Sequence, residues 1–305
     1  MFHQTLPFLL ICLIAGIASK KWQLLPQNAY TKINQFILYI TIPAITLEKI
    51  SQLVLEVSYI LPILSAWIIF LIAGLLFAVL AYFYKWDKKT WAALTLVCGL
   101  GNTSFVGFPV TELIFGDEGV KYAILVDQPG TFAALSTLGI AVAAYGNSSG
   151  ITVRKMLWRL LKFPAFSCFF IALLLPAELF HYPLFNQVNS LSILHYIGSW
   201  TFPLAFLSIG MQFTFSFNEV NLKQFGWGLT YKLIFAPLFI FLAFRIANLQ
   251  GLLYDVTILE LAMPPMITAS IIAVDHGLQP RLSTALINYG MPISAVTLYL
   301  WALIL

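Results

Sequence analysis

The chain has 305 residues, 60% hydrophobic and 9% charged, with a formal net charge of +4. A mean hydropathy of +0.90 excludes an ordinary soluble domain and marks an all-α polytopic protein of the lipid bilayer. The charge is too small and too confined to loops for a nucleic-acid partner, and Cys12, Cys98 and Cys168 fall in apolar runs with no disulfide or metal spacing, so they read as hydrophobic filler and no cofactor is expected.

A membrane crossing takes about 20 helical residues. The apolar runs supply ten, at about 4–19, 31–50, 57–84, 90–116, 121–145, 163–180, 192–216, 226–247, 251–276 and 282–305. No Lys or Arg precedes the first run and Lys20-Lys21 follows it, the reverse of a secretory signal, so span one is expected to be retained. Twelve basic residues then sort to one side: Lys20, Lys21, Lys32, Lys85, Lys88, Lys89, Arg154, Lys155, Arg159, Lys162, Lys223 and Arg281. Lys49, Lys121 and Arg245 fall on the other, which places both termini on the non-cytoplasmic side. Trp22, Trp86, Trp91, Trp158 and Trp227 lie beside the basic loops as an interfacial belt.

Span four carries Gly101-Asn102-Thr103-Ser104-Phe105-Val106-Gly107-Phe108-Pro109. Glycine weakens a helix and proline removes a donor, so Gly107 and Pro109 are read as helix-breaking residues. Irregular backbone survives at membrane depth only where protein buries it or a wet cavity solvates it. The polar loop 147–162 separates a first repeat, 1–146, from a second, 163–305, with five spans each. An odd number of spans per repeat forces opposite orientations. At an offset of about 160, Thr41-Ile42-Pro43 meets Thr201-Phe202-Pro203, and Asp127 meets Asn288 at 161. Similar offsets carry the span-four break onto Met263-Pro264-Pro265 in span nine, whose adjacent prolines break that helix too. Corresponding breaks in inverted repeats point to a midplane binding site.

The second half of each broken helix would begin there with unpaired N–H groups, a setting that favours an anion such as a carboxylate. Gly101, Asn102, Thr103, Ser104, Phe105, Met263, Pro264, Pro265 and Asn288 are the expected substrate-binding residues, with Asn102 donating from its amide. Ionisable residues inside spans are functional candidates by cost alone. Glu260 and Asp127 are the ion-coupling candidates: Glu260 either binds Na⁺ with exposed carbonyls or exchanges a proton. Lys232 either snorkels to the surface or supplies counter-charge to the substrate. Pro43 and Pro203 are expected to kink their spans. Glu48, Glu56, Asp117 and Glu118 read as loop charges, and His195 as a packed polar residue.

The span-four motif, Ala262-Met263-Pro264-Pro265 and Asp275-His276-Gly277-Leu278-Gln279-Pro280 resemble the auxin efflux carrier family, within the bile acid/sodium symporter-like superfamily, over essentially the whole chain. The resemblance implies ten helices in two inverted five-helix repeats, with helices four and nine crossing at the midplane. It further implies a scaffold of helices one, two, six and seven, against which helices three to five and eight to ten move. Plant auxin carriers resemble the chain at Asn102-Thr103 and Gly107-Phe108-Pro109 but have proline where it has Gly101, one proline where it has Pro264-Pro265, and often a long central loop. Those departures fit bacterial-type members, which carry organic acids such as malate and malonate across the inner (plasma) membrane, and related carriers form homodimers. The expected function is therefore secondary transport of a small organic anion by elevator-like alternating access, coupled to Na⁺ or H⁺ or by exchange. The alternatives are an aromatic-acid (auxin-like) or amino-acid carrier, a channel and a transporter-derived sensor. No enzyme motif surrounds the Glu260 and Asp127 pair, and no phosphate-cradling loop is present, so neither catalysis nor nucleotide-driven pumping is expected.

Overall fold

The structure, a computed structural model, describes residues 2–26, 28–148, 154, 158, 160–175, 183–185, 188–212 and 220–305. Lys155, Arg159 and the ends of the expected spans 163–180 and 192–216 lie outside the described residues. The fold is helical, and a short antiparallel pair, Pro183–Phe185 with Val188–Asn189, is the one sheet among the described residues. Five described helices are long and apolar enough to cross a membrane: Val57–Tyr84, Thr103–Gly146, Ser190–Gln212, Leu222–Ile246 and Pro280–Ile304. The stretch Ile60–Tyr84 shows why such a sequence is helical. It has no charged residue to solvate and no glycine beyond Gly74, and a helix is the one local structure that satisfies every peptide group without water. It ends where Lys85 turns left-handed (φ 56°).

Asp87 then caps the helix Lys88–Gly99, its carboxylate accepting from the Thr90 N–H at 2.8 Å, while Gln279 ties down the Thr90 hydroxyl at 2.9 Å. The helical run Thr103–Gly146 contains the second half of expected span four and span five. Its backbone leaves the helical region at Gly116 (φ 73°, ψ −169°), where the first of those spans was expected to end. Wider π-helical turns occupy Asp127–Phe132 and Leu135–Gly139, the former holding Pro129, which has no N–H to give.

The chain folds into two compact units. One comprises Met1–Glu56, Ser104–Ile124 and Leu161–Thr214, the other Val57–Thr103, Leu125–Leu160 and Phe215–Leu305. Within the first, Phe2–Lys21 lies along Thr201–Gln212 with almost no room between the backbones. A Cβ on Gly210 would meet the Gly16 Cα at 3.0 Å and overlap the Leu13 carbonyl oxygen. Small residues permit this approach, and dispersion between the backbones rewards it. In the same unit, Pro43 sits at the start of Ile42–Ile50, just after the π-helical Ile37–Thr41. Pro203 sits in the first turn of Thr201–Gln212, after a break at Trp200. Thr201 donates to the Thr41 hydroxyl between them at 2.9 Å, both fully buried.

Gly210→Ala is expected to lower the melting temperature in detergent. Gly226→Ala, whose Cβ meets nothing within 4 Å, is expected to leave it unchanged or raise it, since helix propensity adds up to about 1 kcal/mol of stability. Equal effects at the two positions would contradict the close helix contact. Burial works against ionisation of Asp87, but the Thr90 side chain and backbone, Gln279 and Lys89 outweigh it and hold the carboxyl below the usual value. A depressed carboxyl stabilises the fold above the unfolded value of about 3.9 and loses that contribution as pH falls through the lower folded value. Asp87→Ala should therefore cost about 1 kcal/mol near neutrality, with the difference from wild type vanishing in strong acid. A deficit constant with pH would remove the cap's electrostatic part.

Candidate functional site

The interruption in span four lies earlier than Gly107 and Pro109. Leu100 is extended (φ −120°, ψ 141°), helical turns resume at Thr103 as a π-helix through Gly107, and Pro109 falls in the first turn of Phe108–Val126. The wider π-helical turn that leads into it accommodates the missing N–H, so the helix runs on past Pro109 instead of ending there. Span nine breaks where expected, between Leu252–Leu261 and Ile267–Asp275, with Met266 extended (φ −76°, ψ 122°).

The two extended pieces pair with each other. Gly101 and Pro265 form an antiparallel bridge, in which Asn102 N–H donates to the Pro264 carbonyl at 2.8 Å and Met266 N–H to the Leu100 carbonyl at 3.2 Å. Prolines 264 and 265 bring no donors, so the pairing satisfies two of the N–H groups that the breaks release without calling on water. Those two donors are thereby spent, and the expected pair of open half-helix ends is partly closed.

What remains for a ligand is side-chain chemistry. Asn102 is buried and its amide nitrogen meets no hydrogen-bond acceptor among the described residues. Lys232 does not snorkel. It is fully buried within Leu222–Ile246, in the π-helical turn Tyr231–Phe235, and its ammonium donates to the Leu261 carbonyl, the last of its half-helix, at 2.7 Å. Fully buried Glu260 is adjacent in sequence and interacts with that ammonium. Gly101 makes the approach feasible: a Cβ there would stand 3.0 Å from the Lys232 Nζ and 3.2 Å from the Glu260 carbonyl oxygen. The break thus concentrates an ammonium, a carboxyl group and an unspent amide donor in one buried place.

Thr103 donates its hydroxyl to fully buried Asp127, and Gln128 donates Nε2 to the other carboxylate oxygen at 2.7 Å. Gln128 and the Thr103 contact to Asp127 are the features sequence reasoning missed, since nothing in the spacing places residue 103 against residue 127. Met263, Pro264 and Pro265 are buried in the second break. Ser104 is half-buried and Phe105 buried in the π-helical turn after Thr103. Asn288 is half-buried on Pro280–Ile304, two residues before Gly290, where a Cβ would meet the Pro265 ring at 2.9 Å.

Glu48 and Asp117 are not simple loop charges, and His195 is more than packing. In the first unit, buried Glu48 accepts from Lys49 Nζ at 2.7 Å and contacts His195 Nδ1 at 3.0 Å, while Lys49 also reaches Asp117 at 2.5 Å. Span two therefore ends in a buried Glu48–Lys49 pair whose partners, Asp117 and His195, reach it from the surface, a grouping invisible to sequence because those partners are far away in the chain. Removing one member of a buried pair strands the other, typically at about 3–5 kcal/mol. Lys49→Met is expected to destabilise the purified protein by about that much, and His195→Ala much less, because that side chain is 65% exposed. Equal melting temperatures for Lys49→Met and wild type would show that Glu48 does not depend on the pair.

The family model described as membrane transport protein matches residues 1–302. An uncharacterised transporter of Methanothermobacter thermautotrophicus is 25% identical over 309 residues, covering 99% of this chain and 98% of its own. An uncharacterised transporter of Methanocaldococcus jannaschii is 29% identical over 309 residues, covering 97% of this chain and 96% of its own. A match along nearly the whole length, with both broken helices inside it, makes this chain a member of the membrane transport protein family, the auxin efflux carrier family that its motifs resemble.

Proposed function

We propose that the chain is a secondary active transporter of a small organic anion, such as a dicarboxylate of the malate or malonate type, bound where the two broken helices meet. One observation carries this reading. The paired breaks bury the Lys232 ammonium against Leu261 and leave the Asn102 amide donor unspent, which is the chemistry a carboxylate requires. Two inverted five-span repeats are supported by the contact of Thr41 with Thr201, residues 160 apart, since equivalent positions meet each other only near a two-fold axis. They are supported equally by the antiparallel meeting of Gly101 with Pro265. In an elevator-like cycle the crossing and its ligand move together, opening first to one side of the plasma membrane and then to the other. The loop charges support a topology with both termini on the non-cytoplasmic side.

Glu260 and Asp127 are the coupling groups of this reading, and no catalytic step is part of it. Proton coupling is favoured over Na⁺, because a bound Na⁺ at Glu260 would use the carbonyls exposed by the break, and the Lys232 ammonium already occupies that of Leu261. Repulsion between two cations would weaken such a site.

Ligand that binds the folded state raises the melting temperature by mass action. With dicarboxylates, aromatic acids and amino acids tested at two pH values in Na⁺ or K⁺, one carboxylate class is expected to shift the purified protein upward. The shift should disappear in Asn102→Ala and Lys232→Met while their ligand-free melting remains cooperative, and it should depend on pH but not on Na⁺. In proteoliposomes the same compound should show saturable counterflow. A shift by neutral solutes or cations alone would overturn the anion site, and transport without counterflow would indicate a channel.

A further inference from the structure

Asp127 is the only Asp, Glu, Lys, Arg or His in residues 57–84 and 122–146. Two side chains from neighbouring positions hold it. The Thr103 hydroxyl donates to Oδ1 and Gln128 Nε2 donates to Oδ2 at 2.7 Å. On the same amide, the Gln128 carbonyl oxygen is buried and accepts nothing among the described residues. A carboxylate only accepts hydrogen bonds, whereas a neutral carboxyl also has one O–H to donate. Gln128 is thus equipped for both states, with a donor now in use and an acceptor in reserve that a half-turn of the amide would present. Of the elements packed against this group, Ile60–Tyr84 brings no charge. The broken segment that supplies Thr103 brings Lys232 and Glu260, whose Nζ and carbonyl lie against Gly101.

Resting on the reading of the chain as a proton-coupled carrier, we propose that Gln128 and Thr103 are positioning residues that read the protonation of Asp127 and pass it to the broken helix. A proton taken up from one side of the membrane adds to Oδ2. The Gln128 amide turns, and its Oε1 accepts the new O–H. The hydrogen bond from Thr103 changes from charge-assisted to neutral, about half its former strength. Thr103 is the first residue of the helical turn after the break, so the charge on Asp127 sets how firmly that turn is held. Release of the proton to the opposite side reverses each step, and one proton is taken up and one given off per cycle.

Infrared difference spectra between high and low pH, recorded in H₂O and D₂O on the full protein in lipid, test this without any substrate. The expected result is a deuterium-sensitive carbonyl band of a protonated carboxyl, lost in the nearly isosteric Asp127→Asn and retained in Glu260→Gln. Gln128→Leu should move that band to higher frequency, because the carboxyl hydroxyl loses its acceptor, and Gln128→Met supplies the same test should the leucine variant fold poorly. Thr103→Val should shift the carboxylate stretch seen at high pH. A band that survives Asp127→Asn, or that ignores both Gln128 variants, overturns the proposal. If no organic anion binds, the transport reading fails while these spectra still decide the role of Gln128.

Discussion

Peptide groups released inside a bilayer have no water to turn to, and this chain releases them twice, at Leu100–Asn102 and at Ala262–Met266. Each break supplies what the other lacks. The Pro264 carbonyl accepts from Asn102 and the Leu100 carbonyl accepts from Met266, so neither is stable at membrane depth without its counterpart. Two prolines on one side matter because they bring no donors that this short bridge would leave unpaired. Absence of a side chain on the other side matters as much, since Gly101 lets the Lys232 ammonium and the Glu260 carbonyl come against the backbone.

Everything polar in that region follows from having non-helical backbone there. The half-helix ending at Leu261 offers a carbonyl with no intrahelical partner, and a buried lysine takes it. Glu260 precedes Leu261 in the chain, so the crossing brings a lysine and a carboxyl group into one enclosed volume. Asn102 is held through its backbone, leaving its side-chain amide nitrogen unspent. Asp127 is connected to the same break through Thr103, so the carboxyl groups expected to couple ions are joined to it by one hydrogen bond or by one residue of chain. Glu48 and Lys49 obey a similar logic in the first unit, where two buried charges persist because they pair with each other and with the more exposed His195 and Asp117.

The membrane class, five long apolar helices and the breaks near residues 101 and 264 were legible in the sequence because lipid imposes severe constraints on composition. A run of about 20 apolar residues has few alternatives to a helix in hydrocarbon, and adjacent prolines in such a run break it whatever surrounds them. The offset of 160 that aligns Thr41 with Thr201 was legible too, but that the two hydroxyls touch was not. Tertiary context decided how local signals were used. Gly107 and Pro109 look like breakers but fall within resumed helical turns, because the wider π-helical turn at Thr103–Gly107 accommodates them. Lys232 stands near enough to a helix end to snorkel, yet a free carbonyl 29 positions further along the chain holds it inside. The contact of Thr103 with Asp127, the reserve acceptor on Gln128 and the enclosure of Glu48 arise from folding, since each joins or buries groups according to how helices pack. Sequence alone determined that this chain lives in lipid and must interrupt two of its helices, because solvent and backbone chemistry act residue by residue. Only the tertiary structure decided which charges the interruptions bring together, because an electrostatic partner is chosen by distance in space.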